Sequence, residues 1–273
     1  MIPGAQPLLL VGAGKMGGAM LERWLAHRID PSEVTILDPY LEGDRWSDLA
    51  RKGTATATSV AGASDRAYKI MVIAVKPQSM KEALAEVAAL AAPDTTIISI
   101  AAGIRIATLE AAFPPGQAIV RAMPNTPAQV GMSMTVAVPN AHVTGVERGA
   151  VDALLAAIGD VAWIDDEGLL DAVTAVSGSG PAYVFLLAEC LAEAAREAGL
   201  PDDLAMRLAR QTVAGSGALL GESRLSPDVL RRNVTSPGGT TEAALKVLMG
   251  DDGLQALMSR AVAAAKKRSI ELG

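Results

Sequence analysis

A G-x-G-x-x-G hexapeptide, Gly12-Ala13-Gly14-Lys15-Met16-Gly17, constrains this chain more than any other feature. It follows the apolar run Leu8-Leu9-Leu10-Val11 and opens a helical pattern, the context in which such a motif carries weight. Glycines there permit a tight turn and let backbone N–H groups at a helix N-terminus approach a pyrophosphate. A glycine-rich strand-to-helix turn is the plain structural alternative. Either reading demands a strand, a sharp turn and a helix in succession, the opening unit of an α/β fold.

The alternation continues along the chain. Short apolar runs at residues 8–11, 34–37, 70–75, 96–100, 118–122, 133–138 and 161–164 are separated by helical periodicity. Several runs are unbroken rather than alternating, as strands covered by helices on both faces require. The expectation is an N-terminal doubly wound, Rossmann-like sheet. Within it, Ser79 with Glu82 and Thr144 with Glu147 have capping-box spacing.

After about residue 166 the strand signal ends and helical patterns run nearly to the terminus. The expected division is a dinucleotide-binding domain at residues 1–166 and an all-helical C-terminal domain for dimerisation and substrate binding at 167–273. Pro181 suits a first helical turn and Gly199 with Pro201 a stop, which predicts one long helix over 182–198. Tyr183, Val184, Phe185, Leu186, Leu187, Ala188, Cys190, Leu191 and Ala192 leave only Glu189 and then Glu193 polar, and a helix apolar on all sides must be buried. The 107 residues from 167 to 273 would struggle to bury it alone, so an intersubunit core is expected. A helix enclosed by its neighbours within one bundle is the alternative.

Composition narrows the partners. Thirty acidic against 24 basic residues give a formal charge of −6, the wrong sign for a phosphate-backbone binder, and 3% aromatic content offers little for base stacking. No nucleic-acid partner is expected. No apolar run approaches the roughly 20 residues of a membrane span, and residues 1–7 lack the basic start of a secretion signal. No membrane partner and a cytoplasmic location are therefore expected. The single cysteine, Cys190, forms no internal disulfide and reads as a small buried hydrophobe. His27 and His142 stand apart, without partners at metal-ligand spacing, and read as surface histidines; no metal site is expected. Lys266-Lys267-Arg268 reads as a solvated helix C-terminus.

Chemistry-bearing residues gather at the ends of the expected strands. Asp38 lies 24 residues after Gly14, near the spacing at which a carboxylate meets an adenosine ribose, and it would repel a 2′-phosphate. Pro39 and Tyr40 come next and Arg45 only later, which leans toward NADH over NADPH unless a loop aims Arg45 or Arg51 inward. Ala74-Val75-Lys76-Pro77 ends another strand at the cofactor crevice. Lys76 there meets a phosphate or ribose, or is an exposed lysine at a helix start. Ser99-Ile100-Ala101-Ala102-Gly103 supplies small residues beside which a nicotinamide ribose can lie. The double-proline segment from Arg121 to Ala128 presents Asn125 and Thr126 at the same rim.

Two glycine-serine segments fall in the helical half. Ser177-Gly178-Ser179-Gly180-Pro181 leads into the long helix, and Thr235-Ser236-Pro237-Gly238-Gly239-Thr240-Thr241-Glu242 leads into another. Each places unpaired N–H groups and hydroxyls at a helix N-terminus, a ready site for a carboxylate. Capping by Ser and Thr is the alternative, although capping does not call for paired glycines.

Together these segments resemble pyrroline-5-carboxylate reductases. The most specific element is Val234-Thr235-Ser236-Pro237-Gly238-Gly239-Thr240-Thr241, supported in order by the glycine loop, Ala74 to Pro77, Arg121 to Ala128 and Ser177 to Tyr183. The resemblance spans essentially the whole chain. It implies NADPH- or NADH-dependent reduction of the cyclic imine 1-pyrroline-5-carboxylate to L-proline, the last step of proline biosynthesis. It further implies that Val11, Gly12, Ala13, Gly14, Lys15 and Met16 form the pyrophosphate loop and that Asp38 lines the adenosine ribose. Ala74, Val75, Lys76, Pro77, Ile100, Ala101, Ala102 and Asn125 then complete the cofactor site. Glu167, Ser177, Asn233, Ser236, Gly238, Gly239, Thr240 and Thr241 stand on the substrate side, with the turn from Ser236 receiving the ligand carboxylate. Thr241 matches the hydroxyl beside the ring nitrogen and is the catalytic candidate, and Glu167 would offset the iminium charge. Many family members carry an uncharged polar or basic residue where Asp38 stands. The resemblance also implies a homodimer with the substrate pocket at its interface, and further assembly to a decamer.

Two rivals are weaker. A 3-hydroxyacid dehydrogenase would need an acid-base lysine four residues after a glycine in a glycine-rich turn, and the stretch after Gly178 reads Ser-Gly-Pro-Ala-Tyr-Val-Phe. A non-catalytic NAD(P) sensor would keep the glycine loop but has no need of the Ser-Pro-Gly-Gly-Thr-Thr turn.

Overall fold

The computed structural model describes residues 4–27, 29–41 and 44–272. They fall into two compact units, residues 1–178 with 266–273, and residues 179–265.

The first unit is built on eight strands: β1 Leu8–Val11, β2 Val34–Leu37, β3 Ala55–Ala57, β4 Ile70–Ile73, β5 Thr96–Ser99, β6 Ile119–Met123, β7 Ser133–Pro139 and β8 Gly159–Trp163. Their order across the sheet is β3-β2-β1-β4-β5-β6-β7-β8. Neighbours are parallel except β6 and β7, which pair Arg121 with Val138 and Met123 with Val136. The sequence order reverses between β1 and β4, and a crevice at the carboxyl ends of the flanking strands is where such sheets bind ligands.

Every residue of β1, β2, β4 and β5 is buried, which explains their unbroken apolar runs. The two faces of β1 divide the core, because successive side chains point to opposite sides. Leu8 and Leu10 pack with Met20, Leu21 and Trp24 of α1 (Lys15–Ala26) and with Val151, Leu154 and Leu155 of α5 (Gly145–Ala156). Leu9 and Val11 pack on the other face with Met80, Leu84 and Val87 of α3 (Met80–Val87) and Leu109 of α4 (Ile106–Glu110). The buried indole of Trp24 donates to the Leu154 carbonyl at 2.9 Å, so its polar atom is satisfied. The remaining helix of this layer, α2, spans Asp44–Arg51.

The structure departs from the sequence pattern in four places. Strand β3 pairs with β2 through Thr35 and Ala55, and its three small residues carry no recognisable strand signal. Ser79 forms no capping box: Pro77–Ser79 is a 3-10 turn running straight into α3, Ser79 has helical backbone angles, and its side chain makes no capping hydrogen bond. Thr144 with Glu147, by contrast, forms the complete capping box of α5. Cys190 is exposed within one chain rather than buried, because its helix has no cover there. His27 and His142 are exposed, as expected of surface histidines.

The last departure concerns the apolar helix. A helical stretch from Glu167 to Glu197 contains an 18-residue segment with a mean hydropathy of 1.3 and is long and apolar enough, by composition alone, to cross a membrane. Contiguous apolar runs missed it because scattered glutamates and glycines interrupt them. It comprises α6 (Leu170–Val173), a π-helical turn at Thr174–Gly178 and α7 (Gly180–Glu197). Pro181 occupies the first turn of α7 and Gly199, at φ +92°, ends it.

The second unit continues with α8 (Asp202–Glu222), α9 (Pro227–Asn233), α10 (Thr240–Leu248) and α11 (Leu254–Leu272), whose last residues return to the first unit. Helices α7 and α8 pack side by side. Among its hydrophobic residues only Ala192, Ala205 and Ala209 are buried, while Val184, Phe185, Leu186, Leu187, Leu208, Leu219 and Leu220 are exposed. A bundle that buries three alanines has no core of its own, so the enclosed single-bundle alternative for α7 fails within one chain.

Candidate active site

The glycine loop sits at the sheet's switch point. Gly12 adopts φ +88°, and a Cβ there would press on the Ala74 carbonyl at 3.0 Å, so the turn packs against the end of β4. A Cβ on Gly17 would overlap the Gly12 carbonyl oxygen, so α1 approaches the turn as closely as its backbone allows. Gly14 faces open space and caps α1 without any side-chain hydrogen bond. The first N–H groups of α1 thus keep an unused positive end toward the crevice, and these residues fit a dinucleotide pyrophosphate.

Asp38 follows β2 directly beside this loop. Its Oδ2 accepts the Ala13 N–H at 2.8 Å and its Oδ1 the Tyr40 N–H at 2.9 Å. Arg51 pairs with Asp48 and reaches the Ser47 carbonyl. The Arg45 side chain lies outside the described residues.

The other cofactor candidates occupy neighbouring strand ends. Ala74 donates to the Val11 carbonyl at 2.8 Å and Ile100 to the Ile73 carbonyl at 3.1 Å, which locks both strand ends to β1 and β4. Lys76 is exposed just before the 3-10 turn that Pro77 opens. After Ala101 and Ala102 the chain turns at Gly103, φ +79°.

Asn125 behaves differently from its sequence reading. Its Oδ1 accepts the Met134 N–H at 3.0 Å and the Ser133 hydroxyl at 3.1 Å. Its Nδ2 donates to the Ser177 carbonyl at 3.1 Å and the Ser177 Oγ at 3.2 Å. With two N–H donors and two acceptor positions engaged, the side chain clamps Ser177 and the π-helical turn, and any contact to a cofactor falls to the backbone. Met123 closes the same turn, since a Cβ on Gly178 would lie 2.6 Å from its methyl carbon.

Glu167 is tied into the sheet. Its Oε1 accepts from Arg121 Nη1 at 2.8 Å and from the Ile106 N–H at 2.8 Å. Arg121 appears in the sequence only as the first residue of the double-proline segment. A buried arginine within an apolar strand was the available signal, because such a charge needs a partner.

The Ser236 to Thr241 turn lies in the second unit. Gly238 adopts φ +70°, Gly239 donates to the Ser236 carbonyl at 3.0 Å, and Gly238 donates to Glu242 Oε2 at 2.7 Å. Gly239 caps α10 without a side-chain hydrogen bond, and Thr240 and Thr241 begin the helix. Their N–H groups form an anion-receptive helix end, and Thr241 is half-buried there. Asn233 is exposed at the last position of α9. Glu167, Ser177 and the cofactor candidates therefore belong to one unit, and Asn233 with residues 236–241 to the other. No group of three or more potential metal ligands occurs among the described residues.

Comparison with known proteins covers both units. Residues 167–272 match the family described as pyrroline-5-carboxylate reductase dimerisation, and residues 8–103 match NADP oxidoreductase coenzyme F420-dependent. A pyrroline-5-carboxylate reductase of Pseudomonas aeruginosa is 38% identical over 271 residues, covering 97% of this chain and 96% of its own. Among solved structures, a pyrroline-5-carboxylate reductase from Coxiella burnetii superposes with a TM-score of 0.89 at 33% identity, over 98% of this chain and 99% of that one. A Plasmodium falciparum pyrroline carboxylate reductase with NADP bound gives 0.83 at 28% identity, over 99% of each chain.

Proposed function

Because the chain belongs to the pyrroline-5-carboxylate reductase family, we infer that it reduces 1-pyrroline-5-carboxylate to L-proline. The balance is imine, NAD(P)H and a proton giving proline and NAD(P)+. The observation that carries this reading is the pair of uncapped helix N-termini at Gly14 and Gly239, one shaped for a pyrophosphate and one for a small carboxylate. The dehydrogenase and sensor alternatives explain only the first.

Bound NAD(P)H supplies the reducing equivalents for the C=N bond. The protein's part is placement and charge. The N–H groups after Gly12 hold the pyrophosphate, while Ala74, Val75, Lys76, Pro77 and residues 100–102 line the reactive end. The turn at 236–241 takes the substrate carboxylate. Thr241 orients or relays a proton to the ring nitrogen, with water as the ultimate source because an unperturbed hydroxyl is a weak acid. Glu167 answers the positive charge of the protonated imine with the acceptor capacity that Arg121 and Ile106 leave. Ser177 and Asn233 complete the substrate side.

The protein is an oligomer acting on a small molecule. Its expected form is a homodimer in which a second copy, rather than a bilayer, covers the apolar faces of α7 and α8, with decamers as the further assembly and the cytoplasm as its location. The match of residues 167–272 to a dimerisation family supports this cover. For the activity, the near-ultraviolet absorbance of NADH and of NADPH is followed in parallel on adding the imine. Imine-dependent oxidation supports the reductase, and no consumption of either cofactor overturns it.

A further inference from the structure

Arg121 stands between Val120 and Ala122 in β6 and is 6% exposed. A guanidinium there is sustained by an opposite charge, which Glu167 supplies through Oε1 at 2.8 Å. The same oxygen accepts the Ile106 N–H, the first of α4, also at 2.8 Å. A strand, a helix start and the Glu167 turn, far apart in sequence, thus meet at one atom. The intervening loop is held at its near end by Ile100 on the Ile73 carbonyl and by Ala101 on Ser99 Oγ, at 3.1 and 3.4 Å. It turns at Gly103, and its far end is the Ile106 N–H that Glu167 holds. Gly103, Arg105, Arg121, Glu167, Gly168 and Asp171 line one small cavity, so the junction borders space instead of solid core.

We propose that Arg121 is a positioning residue for the reduction, acting through Glu167 to fix two things at once: the carboxylate read above as a substrate contact, and the residue 100–102 loop read as a nicotinamide contact. The proposal rests on those two readings. An arginine suits the task because its charge is permanent and its planar head holds direction inside a protein. Without it, the Glu167 carboxylate keeps only a backbone N–H as partner and is drawn toward water. The loop then loses its fixed end, and small displacements at a reacting centre cost turnover heavily. Because the observed contact is a single N–H to oxygen bond, a lysine can replace part of it.

The test uses the full-length protein in five forms: wild type, Arg121→Met, Arg121→Lys, Glu167→Gln and the Arg121→Met/Glu167→Gln double variant. The readouts are kcat and KM for the imine, NADPH Kd by fluorescence, and Tm. Arg121→Met should lower kcat/KM for the imine on the order of ten- to hundredfold. NADPH Kd should stay within about threefold, since the loop at Gly12 and Asp38 hold the remote end of the cofactor. Arg121→Lys should recover much of the loss, and the double variant should be no worse than Glu167→Gln. Additive losses, or NADPH affinity falling in step with kcat, overturn the proposal. If Arg121→Met does not fold, Arg121→Lys with and without Glu167→Gln runs the same cycle, and additivity there is equally fatal. Wild-type activity in Glu167→Gln overturns the reading of Glu167 itself, and the proposal with it.

Discussion

The Asp38 carboxylate accepts the backbone N–H of Ala13 at 2.8 Å, so the residue proposed to discriminate between NADH and NADPH also braces the glycine loop. Specificity and loop geometry are therefore coupled at one side chain. Asp38→Asn removes the charge and leaves an amide oxygen to accept from Ala13, whereas Asp38→Ser removes the charge and the second acceptor, so the bond to Ala13 is lost even if the shorter hydroxyl accepts from Tyr40. The asparagine variant should shift preference toward NADPH with the loop intact. The serine variant should shift it too but weaken both cofactors, about 10- to 100-fold each, because a charge-assisted hydrogen bond contributes roughly 1.5–3 kcal/mol. Parallel Kd titrations decide, and an unaltered ratio in both variants would show that Asp38 is irrelevant to discrimination.

Thr241 stands at the start of α10, whose N-terminal N–H groups have no side-chain cap and are the proposed anion site. Thr241→Ala keeps those N–H groups and deletes only the hydroxyl. Turnover should fall more than NADPH affinity does, by about 10²–10⁴ if the hydroxyl takes part in proton transfer. Unchanged turnover would remove it from the chemistry.

Gly17→Ala should cripple cofactor binding. The added methyl would overlap the Gly12 carbonyl, a backbone atom that cannot swing aside, so the turn itself must move. Overpacking of this kind costs about 1–3 kcal/mol in stability. The accompanying loss of NADPH affinity, measured on folded protein, should exceed that of Gly14→Ala, whose methyl meets open space. Equal losses would contradict the packing seen between α1 and the turn.

Phe185 is 61% exposed on α7 within one chain. Phe185→Glu should leave the first unit folded and shift the sedimentation profile toward the monomer, since a charge buried at an apolar interface without a partner costs several kcal/mol. An unchanged oligomer would place the subunit contact elsewhere.

Much of this was legible in the sequence, for identifiable reasons. Strands buried on both faces announce themselves as unbroken apolar runs, and β1, β2, β4 and β5 begin where the runs begin. The edge strand β3 escaped because Ala-Thr-Ala is held by pairing to β2 and not by its own side chains. Ser79 misled because capping-box spacing says nothing of the backbone angle its hydroxyl requires. Asn125 reads in the sequence as a rim residue, yet its amide is used inside the protein, which a linear motif cannot reveal. Arg121 went unremarked because its importance lies in Glu167, 46 residues on.

Of the hydrophobic side chains in residues 179–265, three alanines are buried. Such a segment has no melting point of its own, because the free energy that holds it together depends on how many copies share the solution. Diluting the protein should then lower its Tm, and newly made chains would be open to proteolysis until they find one another. Supply of the final product would respond more than linearly to the amount of chain synthesised, without any effector being bound.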